Sequence, residues 1–270
     1  MKIFITGSTG FIGQNLVYFY KHHTVFEYRR GMDINVELTN FKPNLIVNCA
    51  AEIYNSELMY KTNVELVRNC LEYIKKNPLT RMVQLGSSSE YGICTWPTSE
   101  NDVLRPNNMY AGTKGVATIL CQTYANTYNL DIIIVRPYSP YGPGERPHRL
   151  FPALWRAFKL NQQMTLVQGV HDFCYIDDFI DAVDLVIRSD KRTPGEIINI
   201  SSGEQHSNKQ ILDVFRKVTG IEGNVVEVDE FVTPIVWQAD ISHIKNKYSW
   251  KPKETLTSGI KKFLERANYE

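Results

Sequence analysis

Nothing in the 270-residue sequence approaches the roughly 18 consecutive apolar residues of a membrane-crossing helix; the longest candidates are short, such as Ile132 to Val135. The chain opens directly on Lys2-Ile3-Phe4-Ile5, without the charged start, apolar stretch and small-residue cleavage site of a secretory leader. A soluble cytoplasmic protein with no membrane association is therefore expected. An excess of one charge is also missing: 30 Lys+Arg face 29 Asp+Glu, a formal charge of +1. That balance argues against a general nucleic-acid binder or a polybasic membrane binder. Cysteine is sparse and odd in number, five residues at 49, 70, 94, 121 and 174, with no C-x-x-C and no histidine at zinc-ligand spacing. Neither a disulfide framework nor a metal site is expected, and the thiols read as reduced and mostly buried. No repeat or low-complexity tract is present, which excludes a solenoid. What remains is a composition of 43% hydrophobic and 22% charged residues, that of a globular chain with one large domain or a domain plus a lobe.

The first half alternates short β-branched runs with helical patterns. Strands are predicted at Lys2 to Ile5, Val25 to Tyr28, Leu45 to Cys49, Arg81 to Leu85 and Leu130 to Val135, with helices at Phe11 to His22, Leu58 to Lys76 and Tyr110 to Asn126. Short runs rich in Val, Ile and Phe suit parallel strands buried on both faces, and the alternation predicts a doubly wound α/β sheet. Beyond Pro137 a stretch with Pro140, Gly142, Pro143, Gly144 and Pro147 reads as a loop. Helices at Phe151 to Leu160 and Asp177 to Arg188 follow, then a strand at Ile197 to Ile200 able to rejoin the sheet. The remainder, with a turn at Ser249-Trp250-Lys251-Pro252 before a last helix, reads as a smaller interleaved α+β lobe. The expected division is 1–138 with 174–201 as a Rossmann-type nucleotide-binding domain, and 139–173 with 202–270 as a substrate lobe.

The first predicted strand runs into Thr6-Gly7-Ser8-Thr9-Gly10-Phe11-Ile12-Gly13, where every third residue is glycine and a helix begins. Glycine allows the tight turn and lets backbone approach a pyrophosphate, while the helix N-terminus offers free N–H groups and positive dipole character. At the end of the second strand a dinucleotide site needs an acid for the ribose hydroxyls or bases for a 2′-phosphate. Here stand Tyr28-Arg29-Arg30. Arg29 and Arg30 read either as donors for the phosphate of NADP(H), the cofactor expected, with NAD(H) possible, or as two solvated arginines. Asp33 follows a very short third segment and is expected near adenine.

Tyr110-Ala111-Gly112-Thr113-Lys114 places a phenol and an ammonium at i and i+4, on one face of a helix start. A neighbouring Lys⁺ is expected to lower the Tyr110 pKa and ready it for proton exchange with a carbonyl or alcohol oxygen. Gly86-Ser87-Ser88-Ser89-Glu90-Tyr91-Gly92 directly follows a strand, at the sheet end where ligands sit, so Ser87 is placed to bond the same oxygen.

With these motifs the chain resembles an extended short-chain dehydrogenase/reductase of the NAD-dependent epimerase/dehydratase group. The likeness spans essentially the whole length and includes Asn48-Cys49-Ala50-Ala51, Asn63-Val64, Arg136-Pro137 with Tyr141-Gly142-Pro143, and Asp172-Phe173-Cys174-Tyr175-Ile176-Asp177-Asp178. The resemblance implies that Ser87, Tyr110 and Lys114 are catalytic, Lys114 also bonding the nicotinamide ribose. It implies cofactor contacts from Gly7, Thr9, Gly10, Phe11, Ile12, Arg29, Arg30, Asp33, Ile34, Ala50, Ala51, Asn63, Tyr110, Lys114 and Pro137. It further implies a nucleotide-sugar substrate and a homodimer in which the helices at Leu58 to Lys76 and Tyr110 to Asn126 form a four-helix bundle.

Departures from the family narrow the chemistry. Dehydratases of the group carry Asp-Glu after the catalytic hydroxyl residue; here those places are Ser88 and Ser89. Reductases that also epimerise carry a Cys and a His where this chain has Ser89 and Arg149. Carbonyl reduction remains, expected at C4 of a nucleotide-linked 4-keto-6-deoxyhexose, with Ser88, Ser89, Arg149, Arg156 and His171 toward the substrate. The alternatives are a nucleotide-sugar 4-epimerase with bound NAD and, from another class, a cofactor-sensing protein without turnover. His171 stands where the family usually has an arginine for the diphosphate. Trp155, Trp237 and Trp250 stand open between core packing and stacking on a base.

Overall fold

The computed structural model describes residues 1–231 and 236–269, with side chains described to residue 228 and again from 236. Six parallel strands form the main sheet: β1 (Lys2–Thr6), β2 (Thr24–Tyr28), β3 (Leu45–Asn48), β4 (Arg81–Leu85), β5 (Ile132–Pro137) and β9 (Glu196–Ile200), in the order β2-β1-β3-β4-β5-β9. The register brings Ile5 beside Val47, Val47 beside Val83 and Val83 beside Ile133. Alternate residues face opposite sides of a strand, and both sides are covered. Ile3, Ile5, Val47, Val83 and Ile133 join one core, and Phe4, Ile46, Met82, Ile132 and Ile134 join the other. This double burial is why the strands read as continuous apolar runs.

The layers are completed by α1 (Phe11–Phe19), α2 (Ile34–Phe41), α3 (Ser56–Tyr60), α4 (Leu66–Lys76), α5 (Met109–Tyr128), α6 (Leu150–Lys159), α7 (Ile176–Arg188), α8 (Asn208–Thr219), α9 (Ser242–Tyr248) and α10 (Leu256–Arg266). The doubly wound α/β expectation holds, and the strand at Ile197 to Ile200 rejoins the sheet beside β5. Several boundaries and elements differ. The segment after β2 is no mere short connection: Asp33 Oδ1 accepts from the Asn35 and Val36 amides at 2.9 and 3.4 Å and so nucleates α2. The long helix expected from Leu58 begins at Ser56, capped by Asn55, and loosens into a π-helical turn over Lys61–Glu65. Helix α1 stops at Phe19, three residues early.

Small sheets missed by the strand pattern also appear. β6 (Ser139–Tyr141), β8 (Val170–Tyr175) and β10 (Gln205–Ser207) form one, and β7 (Met164–Gln168) and β11 (Val225–Phe231) another. Their strands are short or exposed on one face and mix polar with apolar residues, so no apolar run announces them. Trp155 and Trp250 are buried in the core at 5% exposure each, which assigns both to packing. None of the described helices is long and apolar enough to cross a membrane.

Candidate active site

The strand order reverses between β1 and β3, the switch point at which such sheets open a crevice beyond their carboxyl ends. A cleft of about 560 Å³ lies there. Its floor is the glycine turn. Gly7 has φ +63°, and a Cβ on it would lie 2.7 Å from the Ala50 nitrogen; one on Gly13 would lie 2.1 Å from the Gly7 carbonyl oxygen. These glycines are required by contact as well as by conformation. Helix α1, with Gly10 as its N-cap, has no side-chain cap and no acid in its first turn, leaving its N–H groups and dipole for an anion. This cradle fits the pyrophosphate of a dinucleotide.

Opposite the cradle, the end of β4 supplies Ser87, Ser88 and Ser89, and the start of α5, capped by Asn108 at the Ala111 amide, supplies Tyr110 and Lys114. Ser87 is the N-cap of a 3-10 turn and its Oγ accepts from the Ser89 amide at 3.1 Å. Glu90 explains why Ser87 sits as it does. This fully buried carboxylate accepts from the Ser87 amide at 2.7 Å and pairs at 2.9 Å with Arg136, itself 1% exposed. Arg136 then donates to the Tyr91 hydroxyl at 2.7 Å, and Tyr91 to Asn199 at 2.8 Å. A buried ion pair with every neighbour bonded fixes one geometry.

The i and i+4 pair meets the expectation of position but not of electrostatics. Burial pushes the Tyr110 phenol up; a hydrogen bond with the Ser87 side chain pulls it down, Glu90 pushes it up, and Arg149 pulls it down. Lys114 does not act on it as the spacing predicted, because its Nζ donates to the Leu85 carbonyl. Lys114 is 2% exposed, and burial pushes its ammonium down while Glu90 pushes it up.

The cleft gathers most expected residues: Gly7, Gly10, Phe11, Ile12, Ala51 and Pro137, together with Ser87, Tyr110 and Lys114 and with Ser88, Ser89, Arg149 and His171. Others lie elsewhere. Thr9 is exposed on the turn, and Ala50 packs beneath Gly7. Asp33 and Ile34 line a separate depression of about 440 Å³ with Tyr28 and Lys61. Asn63 works on the protein: it accepts from the Glu52 amide at 2.8 Å and donates to Thr113 at 2.9 Å, tying the π turn to the loop after β3 and to α5. Arg156 faces away, its guanidinium donating to the Pro147 carbonyl at 2.6 Å. Arg29 and Arg30 are largely exposed, and Arg30 pairs with Glu52 at 3.0 Å. Glu52 also accepts from the amides of Ile53, Tyr54 and Asn55; desolvation pushes its carboxyl up, but these bonds and Arg30 carry it below the usual range.

Residues not expected also line the cleft, among them Cys49, Tyr54, Tyr138 and Glu145. Cys49 carried a signal, since it directly follows β3 in the Asn-Cys-Ala-Ala run; Trp237, left open between core packing and stacking on a base, lines the cleft. Burial pushes the Cys49 thiol up to about 12, which keeps it protonated near pH 7. His171 is pushed down to about 4 by burial and by Arg149, and is neutral near pH 7. Among the described residues no cluster of His, Cys, Asp and Glu able to hold a metal is found.

The sequence pattern of the NAD dependent epimerase/dehydratase family matches residues 3–201. The chain belongs to this family. A low-salt glycan biosynthesis protein of Haloferax volcanii is 25% identical to this epimerase/dehydratase-family chain, covering 96% of each. A UDP-glucuronate 4-epimerase of Thermodesulfobacterium geofontis is 31% identical over 78% of this chain and 67% of its own. A solved dTDP-glucose 4,6-dehydratase from Bacillus anthracis, in complex with NAD, superposes with a TM-score of 0.87 at 24% identity, covering 98% of this chain and 96% of that one. The expected extended short-chain dehydrogenase/reductase kinship holds, and the protein is an NAD-dependent enzyme of that class.

Proposed function

We propose that this enzyme reduces the 4-keto group of a nucleotide-linked deoxysugar, with NADPH as the source of hydride. The observation that carries the reading is the convergence of Ser87, Tyr110 and Lys114 on one cleft with the glycine cradle, while the two places that would run an elimination hold Ser88 and Ser89. A bound nicotinamide supplies hydride to the carbonyl carbon. Tyr110 delivers the proton to the carbonyl oxygen, and Ser87, set by Glu90, donates a hydrogen bond to the same oxygen. Lys114, whose Nζ is held at the Leu85 carbonyl, would bond the nicotinamide ribose. Arg29 and Arg30 hold the 2′-phosphate, and His171, Arg149 and the serines face the sugar and its diphosphate.

Two observations favour a second reading, a 4-epimerase with retained NAD. Arg30 is engaged by Glu52, which leaves Arg29 as the freer of the two phosphate donors, and the Bacillus anthracis neighbour is a complex with NAD. Parallel incubations with a nucleotide 4-keto-6-deoxysugar plus NADPH in D₂O, and with a nucleotide hexose carrying a C4 hydroxyl, separate the two. A reductase oxidises one NADPH per product of the keto sugar and leaves C3 and C5 free of deuterium; inversion at C4 of the hexose with no net consumption of dinucleotide selects the epimerase, and cofactor binding without turnover of either sugar selects a sensor.

The proposal includes a homodimer. Leu58, Tyr60, Val116 and Ile119 on α3 and α5 are apolar and 37–57% exposed, and pairing these helices with their copies would cover them. Sedimentation showing only monomer at micromolar concentration would reject the dimer. The division 1–138 with 174–201 against 139–173 with 202–270 is kept as the proposed domain plan. Five free thiols support a cytoplasmic setting.

A further inference from the structure

The loop between β6 and α6 carries an acid at odds with its surroundings. Glu145 is 7% exposed and lines the cleft. Its Oε1 accepts from Arg149 Nε at 3.2 Å, whereas Oε2 is buried with no hydrogen-bond partner among the described residues. A buried carboxylate oxygen left without a donor is costly, and the loop gives it little room to escape. Gln14 on α1 donates to the Gly144 carbonyl at 2.9 Å, and a Cβ on Gly144, whose φ is +87°, would lie 2.0 Å from that amide nitrogen. The Tyr269 hydroxyl donates to the Gly142 carbonyl at 3.4 Å. Arg149 is the opposite case: its side chain is 54% exposed and lines the same cleft, free to follow an anion.

Around this pair stand Arg146 and His148 of the loop, Arg156 of α6, Tyr269 and, across the cleft, His171. Arg146 lies over the Tyr54 ring, His148 bonds the Tyr54 hydroxyl, Arg156 bonds Pro147, and His171 is neutral near pH 7. Burial pushes the Glu145 carboxyl up to about 7, and Arg149 is what pulls it down.

We propose that Glu145 and Arg149 form a proton-linked subsite for the diphosphate of the substrate: the phosphate takes the Arg149 guanidinium, and Glu145, deprived of its cation, accepts a proton from solvent and offers it as a hydrogen bond. No other bond is made or broken; one proton passes from the buffer to a Glu145 oxygen. The inference rests on the nucleotide-sugar reading above.

The test is calorimetric titration of the full chain at pH 8 with UDP-glucose, dTDP-glucose and GDP-mannose, in buffers of different ionisation enthalpy. These diphosphate diesters take up no proton of their own in this range. For any probe that binds, the dependence of heat on buffer should report uptake of nearly one proton, and affinity should fall by up to about tenfold per pH unit above this point. At pH 5, where Glu145 is already protonated, the uptake should vanish. Glu145→Gln should show none at pH 8 and a flat affinity. Binding by the wild type without uptake, or uptake that survives in Glu145→Gln, overturns the inference alone. Binding of none of the three probes overturns the nucleotide-sugar reading and this inference with it. If Glu145→Gln fails to fold, the wild-type buffer dependence decides.

Discussion

The two walls of the cleft are built by different means. The wall proposed for the cofactor is contiguous backbone, Thr6 to Gly13, with the uncapped start of α1 behind it, and its shape depends on the absence of side chains. The wall proposed for the substrate is made of side chains from distant segments: Tyr138, Glu145 and Arg149 around the proline-glycine loop, His171 on β8, and Trp237. A wall of backbone amides recognises what all dinucleotides share, whereas a wall of side chains changes its preference with single substitutions. Behind Ser87 lies the buried Glu90–Arg136 pair that sets it. The difference is that a Cβ at Gly7 or Gly13 meets backbone atoms, which cannot move aside cheaply, whereas the other wall is set by the side chains themselves.

The hardest blow to this arrangement falls on the pair behind Ser87. Glu90→Ala leaves Arg136 charged and buried without its partner, and a loss of about 3–5 kcal/mol in denaturant unfolding is expected. Stability within about 1 kcal/mol of wild type would show that the pair does not hold this geometry. Tyr110→Phe removes the proton donor but keeps the ring, so turnover should drop by about 10²–10⁴-fold with cofactor affinity, read by fluorescence titration, nearly unchanged. Near-normal turnover would remove Tyr110 from the chemistry.

On the substrate wall, His171 tests the effect of burial. Its folded pKa of about 4 lies below the unfolded value, so the unfolded chain binds the extra proton as pH falls. Stability should therefore be full above about pH 6.5 and should decline toward pH 4 by up to about 3 kcal/mol. The decline should be smaller by that amount in His171→Asn; equal acid profiles would mean that the imidazole is not shielded. On the cofactor wall, Gly13→Ala drives a methyl into the Gly7 carbonyl, and about 1–3 kcal/mol of destabilisation with loss of dinucleotide binding is expected. Intact binding would mean that the turn can relax. The smallest effect is that of Arg29→Ala with Arg30→Ala, for which the NADPH over NADH ratio in kcat/KM should fall about tenfold. No change would assign the arginines to solvent and to Glu52.

The sequence by itself determined the main sheet and the cofactor wall, because both are written in short-range terms. Apolar strands such as Leu45–Asn48 and Ile132–Pro137 announce double burial, and glycines at 7, 10 and 13 announce a turn that opens a helix. The same is true of Tyr110 and Lys114, whose shared helix face follows from spacing. Tertiary structure decided what those groups experience. Lys114 turns to the Leu85 carbonyl instead of tuning Tyr110, Arg30 is taken by a Glu52 lying 22 residues away, and Arg156 turns from the cleft to Pro147. It also decided that Glu145 is buried beside Arg149 and that Trp237 reaches the site at all. Hydrophobic periodicity and glycine geometry act over a few residues, so they can be read along the chain. Desolvation and ion pairing depend on which distant atoms exclude water, and only the packed fold determines that.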